Sequence, residues 1–190
     1  MRAAEGADYH GFVVATGTRR SLLVHQAGRL MARAARPTVA VTTSADPDFI
    51  ASVAKVLRPH AVQLNGPVGK SAVQRLRSTI DCEIWMTVHI GHRAPEPDRG
   101  SIALVDCVVL DTASPDGGGS GAVHDHCISA RLARTIEGKV SLAGGLTPEN
   151  VEAAIRAVRP DIVDVSSGVE SGGVKDALKI ERFVGKVRTC

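Results

Sequence analysis

Seven short runs of β-branched and other apolar residues recur along the chain at similar intervals. They begin at positions 11, 38, 61, 83, 107, 139 and 162, so one unit averages about 25 residues, the size of one strand with one helix. Amphipathic stretches with apolar residues at helical spacing lie between the runs, for example at 21–34 and 71–80. Regular alternation of strands and helices predicts a parallel sheet, because neighbouring parallel strands need a crossover helix.

The placement of the glycines separates two folds that such a repeat allows. One is an open, doubly wound sheet, and the other is a TIM-type (βα)8 barrel, an α/β fold, with seven of its eight strands visible. A dinucleotide-binding open sheet favours a GxGxxG turn after an early strand, and this sequence has none there. Glycines cluster instead after the last two strands, which favours the barrel. Aromatic residues make up only 3%, so the predicted core is aliphatic.

Composition excludes several classes of partner. The net charge of +3 comes without a block of basic residues or an aromatic ladder, so we expect no nucleic-acid partner. No apolar run reaches about 18 residues, so we expect no membrane span, and no signal peptide is visible. The four cysteines lack CxxC spacing. We therefore expect a single cytoplasmic domain over residues 1–190.

Two adjacent glycines, Gly144 and Gly145, follow the sixth visible strand. Thr147 suits the cap of a following helix and Pro148 suits its first position. Glycines at this place let the backbone approach a ligand and adopt positive φ. A tight turn without a ligand would explain this pair equally well when it is considered alone.

The next strand ends in a similar loop that carries Ser166, Ser167 and Gly168. Backbone amides, hydroxyl groups and a helix N-terminus are suited to bind a phosphate dianion. In (βα)8 barrels the usual phosphate site lies between the loops after the seventh and eighth strands. Two such loops in succession therefore predict a phosphate site, which makes the last two visible strands the seventh and eighth.

Several segments along the whole chain resemble the phosphoribosylanthranilate isomerase family. They occupy positions 6–14, 18–22, 61–66, 108–111, 117–121, 142–151 and 163–176, in the order that the family has. The resemblance implies a (βα)8 enzyme of tryptophan biosynthesis that needs neither cofactor nor metal. Its reaction would be the Amadori rearrangement of N-(5-phosphoribosyl)anthranilate to 1-(carboxyphenylamino)-1-deoxyribulose 5-phosphate.

The resemblance also implies roles for individual residues. Asp111, at the end of its strand, corresponds to the family's general acid, and a helix cap or salt bridge is the alternative role. Arg20 corresponds to the arginine that faces the anthranilate carboxylate. Gln63 lies on a matching strand, but Asn65 replaces the family's usual histidine. The substrate phosphate would contact the two predicted loops, at Gly144, Gly145, Ser166, Ser167 and Gly168.

The family's general base, a cysteine at the end of the first strand, has no counterpart in this sequence. Residues 1–6 are typical of a last helical turn, so a strand and its loop, about 15 residues in length, are expected to be missing. The four cysteines present are not convincing substitutes: Cys82, Cys107, Cys127 and Cys190. Three explanations are open: a start further upstream, a genuinely short barrel, or a barrel that has lost catalysis. We expect little isomerase activity from residues 1–190 as written.

Other features leave alternatives open. A phosphosugar-binding barrel with impaired catalysis is the second hypothesis, and a phosphosugar enzyme with another reaction is the third. His124, His126 and Cys127 are a weak candidate for a metal site, and a helix start is the preferred interpretation of that stretch. The glycine-rich segment 117–121 is expected to cover the ligand. His89 could approach the substrate, and association with a second copy is compatible with an open barrel edge.

Overall fold

A parallel sheet of seven strands forms the centre of the computed structural model, which describes residues 6–18, 20–91, 98–113 and 123–190. The order of strands in the sheet follows their order in the chain. The strands are β1 His10–Val13, β2 Thr38–Thr42, β3 Ala61–Leu64, β4 Glu83–Ile90, β5 Cys107–Thr112, β6 Lys139–Leu142 and β7 Ile162–Val163. All seven strands predicted from the sequence are therefore confirmed, as is their parallel arrangement.

The helices follow the strands, as the repeat predicts. They are α1 Val24–Met31, α2 Pro47–Leu57, α3 Lys70–Arg77, α4 Arg99–Ile102, α5 His126–Ala133, α6 Val151–Val158 and α7 Ala177–Arg188. Four of them begin at an aspartate whose carboxylate accepts a hydrogen bond from a backbone N–H of the first turn: Asp46, Asp98, Asp125 and Asp176. Among the described residues, no helix is both long and apolar enough to cross a bilayer.

The chain divides into two compact units, and it passes from one to the other within β4 and again after the first residue of β5. One unit comprises residues 7–87 and 98–107, and its aliphatic core includes Ile50, Leu64 and Leu76, which are fully buried. The other contains residues 88–97 and 108–190, with Leu110, Leu142 and Leu146 in its interior. Both interiors consist mainly of aliphatic side chains, which agrees with the low aromatic content.

A small antiparallel hairpin was not predicted from the sequence. Its strands are β8 Glu170–Ser171 and β9 Val174–Lys175. Gly172 and Gly173 connect them with φ angles of +59° and +82°. A two-residue turn with two positive φ angles matches the twist of a hairpin, and glycine adopts this conformation without strain.

The start of α6 also differs from the prediction. Helix α6 begins at Val151 rather than near Pro148, after a turn over residues 148–150. Thr147 nevertheless caps this turn, since its hydroxyl accepts a hydrogen bond from the Glu149 N–H at 3.1 Å. Its carbonyl accepts another from the Val151 N–H at 3.1 Å, so the chain begins to coil where the sequence indicated.

Candidate functional site

A cavity of about 60 Å³ lies at the carboxyl ends of β5, β6 and β7. Its volume suits a few water-sized groups. Its lining consists of Asp111, Ala143, Gly144, Gly145, Leu146, Asp164, Ser166, Ser167 and Gly168, all within the unit that contains residues 108–190. The structure thus brings together six residues that the sequence analysis singled out: Asp111, Gly144, Gly145, Ser166, Ser167 and Gly168. Their functional roles stay predictions.

The loop after β6 can approach Asp111 only because residue 144 is glycine. Gly144 has a φ angle of +87°, which side-chain-bearing residues rarely adopt. A Cβ atom at this position would collide with the Thr112 hydroxyl oxygen and lie 2.8 Å from Asp111 Oδ1. The backbone of the loop therefore lies directly against the end of β5.

The loop after β7 makes a similar approach to the loop after β6. A Cβ atom on Gly168 would collide with the carbonyl oxygen of Leu146. Asn150 stabilises the β6 loop, because its Nδ2 donates a hydrogen bond to the Gly145 carbonyl oxygen at 2.9 Å and its Oδ1 accepts one from the Thr147 N–H at 2.8 Å. Glycine at these two positions therefore allows the backbone segments that line the cavity to lie in direct contact with their neighbours.

The pKa of Asp111 is raised to about 6, from an ordinary value of 3.8. Burial is the largest cause, and the negative charge of Asp164 is the second. His89 and a hydrogen bond from the Thr112 backbone amide lower the pKa of Asp111 and so partly offset this increase. Asp111 therefore carries a proton over part of the weakly acidic range, where an ordinary carboxyl group is ionised.

Asp164 is the second carboxyl group of the cavity, and the sequence analysis did not identify it. Its pKa is raised, mainly because surrounding protein atoms reduce its hydration, although water still reaches the side chain. The positive charge of Lys175 opposes this increase. An aspartate inside the otherwise apolar run IVDV, residues 162–165, was the available signal, since a charged residue in such a strand needs a reason to be there.

The hairpin β8–β9 is attached to the loop after β7 through Lys175. The Lys175 ammonium group donates hydrogen bonds to the Ser166 carbonyl oxygen at 2.7 Å and to Glu170 Oε1 at 3.1 Å. The side chain of Glu170 is buried. Lys179 donates to the Glu170 carbonyl oxygen at 2.7 Å and holds the other side of the hairpin. These bonds fix the backbone on one side of the cavity.

The other two predicted site residues belong to the unit with residues 7–87, and neither lines this cavity. Gln63 is buried on β3, and its Nε2 donates a hydrogen bond to Thr87 Oγ1 at 3.2 Å. Arg20 is half-buried in the connection between β1 and α1. Asn65, at the end of β3, has a buried Oδ1 without a hydrogen-bond partner among the described residues.

The remaining candidates from the sequence are the four cysteines, the possible metal ligands and two short segments. None of the four cysteines lines the cavity, and none of them forms a disulfide bond. Within the described parts of the chain, no three His, Cys, Asp or Glu side chains are grouped to hold a metal ion. Residues 125–127 do form the start of a helix, α5, which confirms the preferred interpretation of that stretch. The segment 117–121 and the helical turn expected before Gly6 lie outside the described residues.

Comparison with known proteins identifies the family. The model of the N-(5'-phosphoribosyl)anthranilate (PRA) isomerase family matches residues 2–186. The chain belongs to the phosphoribosylanthranilate isomerase family. The resemblance seen in the sequence is thereby confirmed, together with the isomerase function in tryptophan biosynthesis.

Individual members of the phosphoribosylanthranilate isomerase family agree with this assignment. The chain is 38% identical over 190 residues to the enzyme of Methanothrix thermoacetophila, with 97% of this chain and 89% of the relative covered. The solved isomerase of Thermococcus kodakaraensis superimposes with a TM-score of 0.81 at 33% identity, covering 100% of this chain and 95% of that one. The predicted TIM-type barrel class is therefore confirmed.

Two further solved structures are similar to this chain, one from the same family and one that shares only the fold. A family member solved in complex with reduced 1-(o-carboxyphenylamino)-1-deoxyribulose 5-phosphate has a TM-score of 0.78 at 27% identity, covering 99% of this chain and 91% of that one. The 3-hexulose-6-phosphate synthase of Salmonella typhimurium has a TM-score of 0.74 at 14% identity, covering 96% of this chain and 88% of that one, and shares the fold alone.

Proposed function

We propose that Asp111 is the general acid of the isomerase reaction and that the cavity beside it binds the substrate phosphate. The observation that carries this proposal is an aspartic acid with a pKa near 6 at the carboxyl end of a barrel strand, in contact with a glycine loop. General acids work best when their pKa lies near the working pH. An ordinary aspartate would be ionised and could not donate a proton.

The proton of Asp111 is used to open the sugar ring. Protonation of the furanose ring oxygen allows the bond between this oxygen and C1 to break, and the nitrogen lone pair forms a C=N bond. Loss of a proton from C2 to a base then gives an enolamine, and its tautomerisation gives the ketose. Asp164 supports the first step, because its negative charge helps to keep the proton on Asp111.

The phosphate site uses backbone and hydroxyl groups. The loops that contain Gly144, Gly145 and Gly168 bring main-chain atoms close together, and Ser166 and Ser167 add hydroxyl donors. Such groups bind a dianion without a basic side chain. The complex of a relative with a deoxyribulose 5-phosphate supports a phosphoribosyl ligand for this chain.

Four further parts of the proposal rest on the resemblance to the family, on the cysteines and on one relative. Arg20 is the proposed contact for the anthranilate carboxylate, and Gln63 is a proposed substrate contact on β3. A cytoplasmic location agrees with four cysteines that form no disulfide bond. Association with a second copy agrees with the description of a Thermotoga maritima relative as dimeric.

Replacing Asp111 with asparagine tests the assignment of the acid. We expect Asp111→Asn to lower kcat by about 10²- to 10⁴-fold, because the amide cannot donate the proton, while inorganic phosphate still binds. The loss of substrate fluorescence measures turnover, and calorimetry measures phosphate affinity. Asp46→Asn is the matched control, because Asp46 caps α2, does not line the cavity and can be replaced by asparagine, which caps equally well.

Three outcomes would be informative. If the unmodified protein turns over substrate, an equal rate in Asp111→Asn would exclude Asp111 as the acid. An unmodified chain that binds phosphate without turnover would agree both with the low activity expected from residues 1–190 and with the second hypothesis, a phosphosugar-binding barrel. Loss of turnover in both variants would assign the effect to a general disturbance of the fold.

A further inference from the structure

A buried histidine next to the cavity uses both of its ring nitrogens. His124 Nδ1 lies 2.9 Å from Thr112 Oγ1, and His124 Nε2 lies 2.5 Å from Ser129 Oγ. The relative exposures of Thr112, His124 and Ser129 are 8%, 8% and 0%. The three side chains therefore form a chain of hydrogen bonds from α5 to the last residue of β5.

The imidazole of His124 is neutral at ordinary pH. Burial is the main cause that lowers its pKa to about 4, and the neighbouring His126 adds to the effect. A neutral imidazole has one N–H donor and one acceptor nitrogen, while each hydroxyl can donate or accept. Both tautomers of His124 therefore satisfy Thr112 and Ser129, and the ring acts as a rigid bridge between them.

Thr112 in turn touches both parts of the proposed active site. Its backbone N–H hydrogen-bonds to the carboxylate of Asp111. Its hydroxyl oxygen lies so close to Gly144 that a methyl group at Gly144 would collide with it. The position of one threonine side chain thus limits where the acid and the phosphate loop can lie.

We propose that His124 is a positioning residue, which holds the Thr112 hydroxyl in place and thereby fixes Asp111 and Gly144 relative to each other. This inference rests on the proposed function of the cavity. Replacement of a purely structural histidine would change the stability of the fold alone. Replacement of a positioning residue also changes the rate of turnover and the affinity for phosphate, because displacement of reacting groups by about 1 Å costs up to about 100-fold in rate.

Four variants test this role. His124→Phe keeps a ring but loses both hydrogen bonds, whereas His124→Asn places an amide near the position of Nδ1. Thr112→Val keeps the shape of the threonine without its hydroxyl. His60→Phe is the control, because His60 lies in the other unit and is partly exposed. For each full-length variant, kcat, KM, inorganic phosphate affinity and thermal unfolding are measured.

We expect His124→Phe to lower kcat by about 10-fold and to raise the Kd for phosphate by about 3-fold at temperatures well below unfolding. His124→Asn should recover most of both losses. Thr112→Val should behave like His124→Phe, and the double variant should be no worse than either single one, because both remove the same bond. His60→Phe should match the unmodified protein.

The proposal is overturned if folded His124→Phe keeps kcat and phosphate Kd within about twofold of the unmodified protein, whatever happens to its melting temperature. If His124→Phe does not fold, Thr112→Val decides in the same way. If the unmodified chain binds phosphate without turnover, kcat cannot be compared, and the phosphate Kd of His124→Phe decides the present proposal. A chain with neither turnover nor phosphate binding overturns both.

Discussion

Asp111 lowers the stability of the folded protein when its carboxyl group loses its proton. Burial and the charge of Asp164 penalise the ionised form in the folded state, but not in the unfolded chain. Between pH 3.8 and about 6 the folded state therefore binds more protons at Asp111 than the unfolded state does. The stability of the fold falls as the pH rises through this window, and the full penalty applies above it.

Asp111→Asn should consequently stabilise the protein at alkaline pH. A rise in pKa from 3.8 to about 6 corresponds to about 2 to 3 kcal/mol of unfolding free energy. We expect this gain at pH 8 and almost none below pH 4, where the carboxyl group is protonated in both states. Urea unfolding at the two pH values measures the difference, with Asp46→Asn as control. An equal effect at both values would contradict the burial of a charged Asp111.

At the scale of single residues, the sequence predicted those site residues whose local sequence context is recognisable. Asp111 ends an apolar strand, and Gly144 precedes a helix, so both stand at recognisable positions. Asp164 was missed because a strand flanked by other elements shows no alternation that reveals which face a side chain occupies. The contact of His124 with Thr112 joins two segments across a loop, and no local pattern predicts such a pairing.

At the scale of elements, the hairpin β8–β9 holds the loop after β7 in place. Lys175→Met removes the hydrogen bond to the Ser166 carbonyl and the ion pair with Glu170. We expect the Kd for inorganic phosphate to rise about 3- to 10-fold, because one side of the cavity is released. Calorimetry on the full chain measures this change.

Lys186→Met is the matched control for the hairpin. It makes the same change in charge and removes an ion pair with Glu152 at 2.8 Å, between α6 and α7. We expect its phosphate affinity to equal that of the unmodified protein. Equal losses in both variants would show that net charge, rather than the hairpin, determines affinity.

Elements with a repeated pattern were predicted well, and short ones were not. Each of the seven parallel strands lies in a run of apolar residues with a helical stretch before or after it, so the period itself identified them. The hairpin has strands of only two residues, which are too short to show any period. Its Gly172–Gly173 pair was the available signal.

At the scale of the whole molecule, the prediction of a single domain can be tested with the one tryptophan. Trp85 belongs to the unit with residues 7–87, whereas the cavity belongs to the other unit. Phosphate at about 100 times its Kd should add about 2.7 kcal/mol to the stability of the state that binds it. If the chain unfolds as one domain, Trp85 fluorescence and far-ultraviolet circular dichroism should shift together, by about 5 to 10 °C.

Independent unfolding would give a different result. The fluorescence transition would stay where it is without phosphate, while part of the circular dichroism signal moved to higher temperature. Chloride at the same ionic strength controls for a general effect of salt. Such a result would contradict the single-domain prediction and would assign the stabilisation to the unit that contains the cavity.

The lining of the cavity has a consequence for the environments in which this protein can work. Among the described residues that form it, two are aspartates and none is a lysine or arginine. An anion that enters therefore meets no basic side chain in this lining and is repelled by any ionised carboxylate, while Lys175, bound at the Ser166 carbonyl oxygen, adds a positive charge nearby. Screening by dissolved ions weakens that repulsion and leaves the short main-chain contacts intact. Capture of the substrate phosphate should thus tolerate brine as well as dilute buffer.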